Sequence, residues 1–364
     1  MLALATLRPS ALTLATYLAS GILRAYACPV HILVTGATGF IGSRLCRALL
    51  DASHDIRALV RPQGHLEVLA GLPLELVSGD ILEPSSLEAC VEGVEVVIHC
   101  AGELGPRASH LRPDVVLASH VVGTRNVAQA ALRAGVDRFV YTSSVAALGV
   151  PEIPSSAETT PLMTETHAWN YDARLWPYGY AKHMAELEAL DVARDGLDTV
   201  IVNPSIVIGG GDLHQVSNGF IVFVARHGLP VAVQGGVNVV HIDDVVQGLS
   251  AALERGRTGE RYILAGENLS IPHLLTLTAR IAHRKPPRWT LSDRAVASLS
   301  STIAVLPRLL GLPIPSELLR LAGRYFFYDT SKAREAFGLG MPRPYHTAAA
   351  ESLAWYAENG FLGR

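Results

Sequence analysis

Tyr178 and Lys182 stand four residues apart in the run Tyr178-Gly179-Tyr180-Ala181-Lys182-His183-Met184-Ala185-Glu186. The run reads as the start of a helix, and on a helix this spacing puts phenol and ammonium on one face. A phenol with a solution pKa of about 10 cannot exchange protons at neutral pH unless something stabilises its phenolate. An ammonium one turn away does so by charge proximity. The run Tyr141-Thr142-Ser143-Ser144 offers hydroxyls that would hold a carbonyl or alcohol oxygen against the phenol. Tyr180 has Met184, not a lysine, at the fourth following position and reads as a packing residue.

A second constellation lies near the start of the chain, at Thr35-Gly36-Ala37-Thr38-Gly39-Phe40-Ile41-Gly42, between an apolar run and the helix-like Ser43 to Leu50. Gly36, Gly39 and Gly42 allow a sharp turn, a close approach of backbone N–H groups to a pyrophosphate, and close packing of helix on sheet. With Thr38, Phe40 and Ile41 they form a candidate dinucleotide cradle; the alternative is an ordinary strand-to-helix turn. Arg61 follows the next apolar run, where an NAD site usually carries an acid for the ribose 2′-OH. An arginine there suits the 2′-phosphate of NADP; the alternative is a solvated charge. Asp80 and the backbone of Ile81, in Gly79-Asp80-Ile81, could meet an adenine edge, unless Asp80 caps the helix that follows. A nicotinamide ring, positive when oxidised, would help Lys182 lower the phenol's pKa, and Lys182 could bond the nicotinamide ribose.

These residues need a scaffold that brings distant segments together. From residue 30 onward short β-branched runs alternate with helical patterns, the signature of a parallel sheet wrapped by crossover helices. The strands are expected at His31 to Thr35, Asp55 to Val60, Leu74 to Ser78, Val94 to His99, Arg138 to Thr142 and Thr199 to Asn203, giving an α/β, Rossmann-type doubly wound sheet. Strand-like Val239-Val240-His241 and Arg261 to Leu264 come later in the chain. The expected organisation is a leader over 1–28, a cofactor domain over 29–205 to which 238–266 returns, and a smaller substrate-binding subdomain from 206–237 and 267–364.

The chain has 364 residues, 49% hydrophobic and only 17% charged, against roughly 25% charged in ordinary soluble domains. That apolar fraction excludes disorder. With 30 Lys+Arg against 33 Asp+Glu, the charge also gives no reason to expect nucleic acid. Cys28, Cys46, Cys90 and Cys100 have neither disulfide-scaffold nor zinc spacing, so reduced thiols and no metal are expected. Two segments are unusually apolar. In 1–28, Arg8 and Arg24 bracket the charge-free Pro9 to Leu23, too short for the roughly 20 residues that span a bilayer. The small residues Ala25-Tyr26-Ala27 imitate a cleavage site, but a dinucleotide domain directly afterwards favours the cytoplasm. In 295–327 the charges are limited to Arg308, Glu317, Arg320 and Arg324. Either segment could touch the inner membrane surface; the alternatives for 295–327 are a buried helix pair or a homodimer surface.

TGATGFIG at 35–42, GD at 79–80, HCAG at 99–102, GTRNV at 123–127, YTSS at 141–144, YGYAK at 178–182, NPS at 203–205 and HIDD at 241–244 resemble, in order and spacing, the extended short-chain dehydrogenase/reductases. The resemblance covers about residues 30–360. It is closest to the branch of dihydroflavonol reductases, 3β-hydroxysteroid dehydrogenases and hopanoid-associated sugar epimerases. It implies that Ser144, Tyr178 and Lys182 are the catalytic set, and that Ala101, Gly102, Pro204 and Ser205 line the cofactor. Two positions depart from the pattern. Ala181 replaces a frequent Ser, and His120 replaces a frequent Asn in the phrase before GTRNV.

Nucleotide-sugar members commonly place an Arg four residues before the histidine of the HxxD phrase, where this chain has Val237. Losing a charge-assisted diphosphate contact is a large deficit. A lipophilic secondary alcohol or ketone, such as a 3β-hydroxysteroid or triterpenoid, fits better. In a 4-carboxysterol, oxidation at C3 would set up decarboxylation. The alternatives are a nucleotide-sugar epimerase or dehydratase, a dihydroflavonol-type ketone reductase, and a non-catalytic NADP-sensing scaffold.

Overall fold

The computed structural model describes residues 29–61, 64–103, 113–152, 160–292, 321 and 323–362. The readings placed on 1–28 and on 295–320 lie outside the described residues.

The first half alternates strand and helix: β1 (His31–Thr35), α1 (Phe40–Asp51), β2 (Asp55–Val60), β3 (Glu75–Ser78), α2 (Pro84–Val91), β4 (Val96–His99), α3 (Pro113–Leu117), α4 (Gly123–Ala134), β5 (Arg138–Thr142), α5 (Pro177–Arg194) and β6 (Thr199–Pro204). The second half holds β7 (Ile206–Ile208), α6 (Gly219–His227), β8 (Val231–Val233), β9 (Gly236–His241), α7 (Ile242–Arg255), β10 (Arg261–Leu264), β11 (Glu267–Ser270), α8 (Ile271–Ile281), β12 (Trp289–Leu291), α9 (Ser331–Phe337) and α10 (Tyr345–Glu358).

Seven strands form one parallel sheet in the order β10-β6-β5-β4-β1-β2-β3. The six expected strands are all in it, and β10 joins beside β6 as the seventh. β3 and β4 begin slightly later than their apolar runs. Before β4, Glu95 is spent on capping: its carboxylate accepts from the His31 backbone N–H at 2.7 Å. Every residue of β4, β5 and β6 is buried, because helices cover both faces. Alternation divides the strands: Ile32 and Val34 pack with Leu45 of α1 and Leu249 of α7, while Leu33 packs with Val127 of α4 and Ala185 of α5. The strand order reverses between β1 and β4, so a crevice opens at their carboxyl ends.

Two small sheets lie beyond: β11-β9-β7 and β12-β8. Of the segment 238–266, α7 and β10 pack on the large sheet, whereas β9 belongs to the three-stranded one. Arg138 ties the carboxyl end of α7 to the large sheet. Its guanidinium, in a residue 5% exposed, donates to the carbonyls of Ala252 (3.1 Å), Leu253 (2.7 Å) and Gly256 (3.0 Å) and to the Asp198 carboxylate (2.8 Å). The Leu253 and Gly256 carbonyls are ones that a helix end leaves without a backbone partner, while the Ala252 carbonyl also accepts the Gly256 N–H at 3.1 Å. Arg138→Met should therefore lower unfolding stability by about 3 kcal/mol or more, read from urea denaturation; an unchanged midpoint would contradict this account.

Candidate active site

The glycine loop sits at the switch point. Gly36 takes φ +69°, and a Cβ there would stand 2.7 Å from the Ala101 nitrogen; one on Gly42 would stand 2.2 Å from the Gly36 carbonyl oxygen. Glycine at these two places lets β1, α1 and the segment after β4 come together. α1 begins with Gly39 as its N-cap, with no side-chain cap and no acid in the first turn. Its leading N–H groups are thus available to an anion, and Thr38, Phe40 and Ile41 are half-buried at the rim. The cradle fits a dinucleotide pyrophosphate. The Ala101 N–H donates to Thr35 Oγ1 at 3.3 Å, and Thr35 also bonds His99 (2.6 Å), whose other ring nitrogen lies 3.2 Å from Thr124 Oγ1. Burial pushes the His99 imidazole down to about 3, so it stays neutral and serves as a brace between β1, β4 and α4.

Arg61, with a side chain 62% exposed, lies just past β2 with Nη1 3.5 Å from the Glu103 carboxylate. The adjoining turn approaches the glycine loop, since a Cβ on Gly64 would touch the Thr38 methyl at 4.0 Å. Asp80 accepts from the Leu82 N–H at 2.9 Å, so it stabilises a local turn, and the N-cap of α2 is Glu83. Ile81 lies where a Cβ on Gly123 would be, 2.6 Å from its Cδ1, and its carbonyl accepts from Asn126 at 2.9 Å. Gly102 is pressed against His120: a Cβ there would stand 2.3 Å from the imidazole Cε1. Pro204 ends β6. The Ser205 hydroxyl donates to Asn238 Oδ1 of β9 at 2.6 Å.

Tyr178 lies in the first turn of α5, and Lys182 comes one turn later. Lys182 is 6% exposed; its Nζ donates to the Thr142 carbonyl at 3.0 Å and to the Tyr141 hydroxyl at 3.5 Å. Burial pushes its ammonium down to about 8, opposed by the nearby Cys100 and Glu186. Burial pushes the Tyr178 phenol up to about 12, and a hydrogen bond with Ser144 pulls it back. Ser144 caps the short turn Val145–Leu148, its Oγ accepting from the Ala146 N–H at 3.2 Å. Ser144, predicted from one run, and Tyr178 and Lys182, predicted from another, are brought to one place.

Sequence reasoning gave Glu186 no role. One turn beyond Lys182 and 2% exposed, it accepts from the Ser143 hydroxyl (2.6 Å), Asn203 Nδ2 (2.5 Å) and Arg261 Nη1 (3.2 Å). Burial raises its pKa; Arg261 and these hydrogen bonds oppose the rise. The available signal was an acid continuing the buried Lys182 face at i+4. His120 sits in a π-helical turn, Ala118–Val122, between α3 and α4. Its Nε2 is 3.2 Å from the Glu103 carbonyl, and its ring meets that of Tyr178 edge-on at 5.6 Å. Desolvation holds it neutral, so Nε2–H donates and the ring braces the segment after β4. Around Tyr178 lie Trp169, Tyr171, Trp176, Leu321 and Phe326 in one apolar cluster with Ala146 and Val150.

A doubly wound sheet, a glycine cradle at its switch point and a Tyr-Lys pair beside it define an NAD(P)-dependent enzyme of the extended short-chain dehydrogenase/reductase type. Residues 32–265 match the NAD dependent epimerase/dehydratase family, and the chain belongs to it. It is 30% identical over 345 residues to sterol demethylase protein B of Methylococcus capsulatus, covering 91% of this chain and 99% of that protein. It is also 30% identical over 345 residues to a dTDP-glucose 4,6-dehydratase of Streptomyces antibioticus, covering 91% and 93%. The crystal structure of gox2253 is similar with TM-score 0.79 and 35% identity, covering 91% of this chain and 99% of that one.

The buried ammonium has a measurable cost. Lys182 loses its proton near pH 8 when folded and near 10.5 when unfolded, so below pH 8 the folded state carries the full penalty. Stability then rises as pH climbs from 8 towards 10.5. Lys182→Met should be more stable than the parent at pH 7 by on the order of 3 kcal/mol, the difference shrinking across that window. Urea unfolding at pH 7 and pH 10 checks both statements.

Proposed function

We propose that this enzyme transfers hydride between NAD(P) and a secondary alcohol or ketone on a lipophilic substrate, of 3β-hydroxysteroid or triterpenoid type. The observation that carries this reading is the apolar and aromatic wall beside the phenol: Trp176, Phe326 and Leu321 pack with Tyr178, and Trp176 meets Phe326 edge-on at 5.9 Å. A fused-ring hydrocarbon gains by burial there, whereas a sugar hydroxyl finds few partners. The position that could have held a diphosphate, Val237 of β9, instead joins an apolar cluster with Leu269 of β11 and Phe220 of α6. Arg324 stands over the Tyr171 ring at 5.9 Å and bonds the Pro151 carbonyl, so it too is engaged. The likeness to sterol demethylase protein B agrees with this substrate class.

In this mechanism the nicotinamide, when bound, supplies or accepts the hydride. Ser144 holds the substrate oxygen, Tyr178 gives or takes its proton, and the Lys182 charge favours the phenolate as the alcohol is oxidised. Neutral His120 and the Glu186 network keep these groups in place. With a 4-carboxylate substrate, the C3 ketone stands β to the carboxylate. The C–C bond electrons then move toward the ketone as carbon dioxide leaves, and the enol regains a proton at C4. Arg61 favours NADP by offering a cation to the 2′-phosphate.

The second reading, nucleotide-sugar epimerisation or dehydration, is supported by the likeness to dTDP-glucose 4,6-dehydratase. The two readings differ in cofactor stoichiometry. On mixing with NADP and a 3β-hydroxysterol, the enzyme should release one reduced cofactor per turnover, seen as absorbance at the nicotinamide band. Turnover of a nucleotide sugar with no net cofactor change would overturn the reading. Tyr178→Phe should lower kcat by about a hundredfold to ten-thousandfold with little change in cofactor affinity. Arg61→Ala should weaken NADPH binding about tenfold or more and leave NADH binding nearly unchanged, as measured by fluorescence titration.

A further inference from the structure

One end of the small sheets carries a concentration of positive charge that the catalytic chemistry leaves unused. No Asp or Glu stands between Asp212 and Asp243, or between Glu267 and Asp293, although acids outnumber bases in the whole chain. Within these two stretches Arg226, Arg280, Arg284, Lys285 and Arg288 are all exposed, as are His227 and His283. The fold gathers them. The Arg284 guanidinium donates to the carbonyls of Ala225 (2.7 Å) and Arg226 (3.1 Å), joining the carboxyl ends of α6 and α8. The Arg288 N–H donates to the Pro230 carbonyl at 2.9 Å, which sets the start of β12 beside β8. Arg280, Lys285 and Arg288 have no side-chain ion pair or hydrogen bond among the described residues. Beside them Trp289 is 62% exposed.

Neutralising helix carboxyl ends accounts for Arg284, whose guanidinium is on the carbonyls, but not for the three unpaired cations or for the exposed indole. Cations around an exposed Trp match an anionic bilayer surface, where the charges meet phosphates and the indole sits at headgroup depth. A nucleic acid would use the charges but has no use for the apolar sequence that follows β12. That chain runs directly from β12 into the apolar sequence of 295–327. The flanks of the stretch are tied to a single residue: the Gln234 N–H donates to the Leu291 carbonyl at 3.0 Å, and the Gln234 carbonyl accepts from Gly323 at 3.1 Å. On either side of Gly323, Leu321 and Phe326 join the apolar wall beside Tyr178.

We propose that the face formed by Arg226, Arg280, Lys285, Arg288 and Trp289 docks this enzyme on an anionic lipid surface. On the function proposed above, a lipophilic substrate would then enter from the bilayer; that consequence, though not the docking itself, rests on that reading.

Full-length protein sedimented with sucrose-loaded vesicles tests it. Vesicles of phosphatidylcholine with phosphatidylglycerol should carry the protein down at low salt and release it at high salt, while vesicles of phosphatidylcholine alone should not. The triple variant Arg280→Gln, Lys285→Gln, Arg288→Gln should partition about a hundredfold less, with an unchanged thermal midpoint. Trp emission should shift to the blue on anionic vesicles, and Trp289→Phe should lose that shift. Equal binding to neutral and anionic vesicles, unchanged partitioning of the triple variant, or capture by duplex DNA in preference to vesicles would each overturn the proposal. Failure of sterol turnover with intact vesicle binding would count against the substrate reading alone.

Discussion

Lys182 carries an ammonium into a place that water hardly reaches, one helical turn from Tyr178. Burial works against both residues, pulling the ammonium down to about 8 and driving the phenol up to about 12. The site is therefore useful only if something else supports their charged forms. On the protein side the ammonium is supported by the Thr142 carbonyl, the Tyr141 hydroxyl and the nearby Glu186 carboxylate, and the phenolate by the Ser144 hydroxyl. Each comes from an element whose position the large sheet dictates. Glu186 matters because its hydrogen bonds reach Ser143 just past β5, Asn203 of β6 and Arg261 of β10 at once, so the helix carrying Tyr178 and Lys182 is fixed beside three strands.

The same dependence runs through the cofactor side. A dinucleotide can lie along the switch point only if β1, α1 and the segment after β4 approach more closely than side chains permit, and Gly36 and Gly42 make that approach. His99 and His120, both neutral through desolvation, hold the segment after β4 from its two sides. The segment after β4 and the helix carrying Tyr178 meet at His120, whose ring is pressed against Gly102 and lies edge-on to Tyr178. Its Nε2–H gives that segment a hydrogen-bond donor to the Glu103 carbonyl.

Much of this was legible in the residues. Parallel strands buried on both faces appear as continuous β-branched runs, so six strands and the glycine loop could be placed from pattern alone. The seventh strand, Arg261–Leu264, read as strand-like but gave no sign of its neighbour, because pairing between segments distant in sequence leaves no local trace. Asp80 and Ser205 show a similar limit. Their types fit cofactor contacts, and no pattern in the sequence shows the local partners they also have: one Asp80 carboxylate oxygen accepts from the Leu82 N–H, and the Ser205 hydroxyl donates to Asn238. Glu186 was overlooked for the opposite reason: a charged residue in a helix usually faces water, and only the fold shows that this one faces Ser143, Asn203 and Arg261.

The low charge fraction of the chain also divides into parts. The large sheet absorbs much of the apolar excess, and the aromatic wall beside Tyr178 takes another share and gives it a chemical use. Everything proposed for that site rests on a phenol tuned by a neighbouring ammonium. The most direct test is the pH dependence of kcat/KM for alcohol oxidation in the parent and in Lys182→Met. The apparent pKa of the base should rise by about one to three pH units in the variant. An unshifted profile, with activity merely scaled down, would contradict the account.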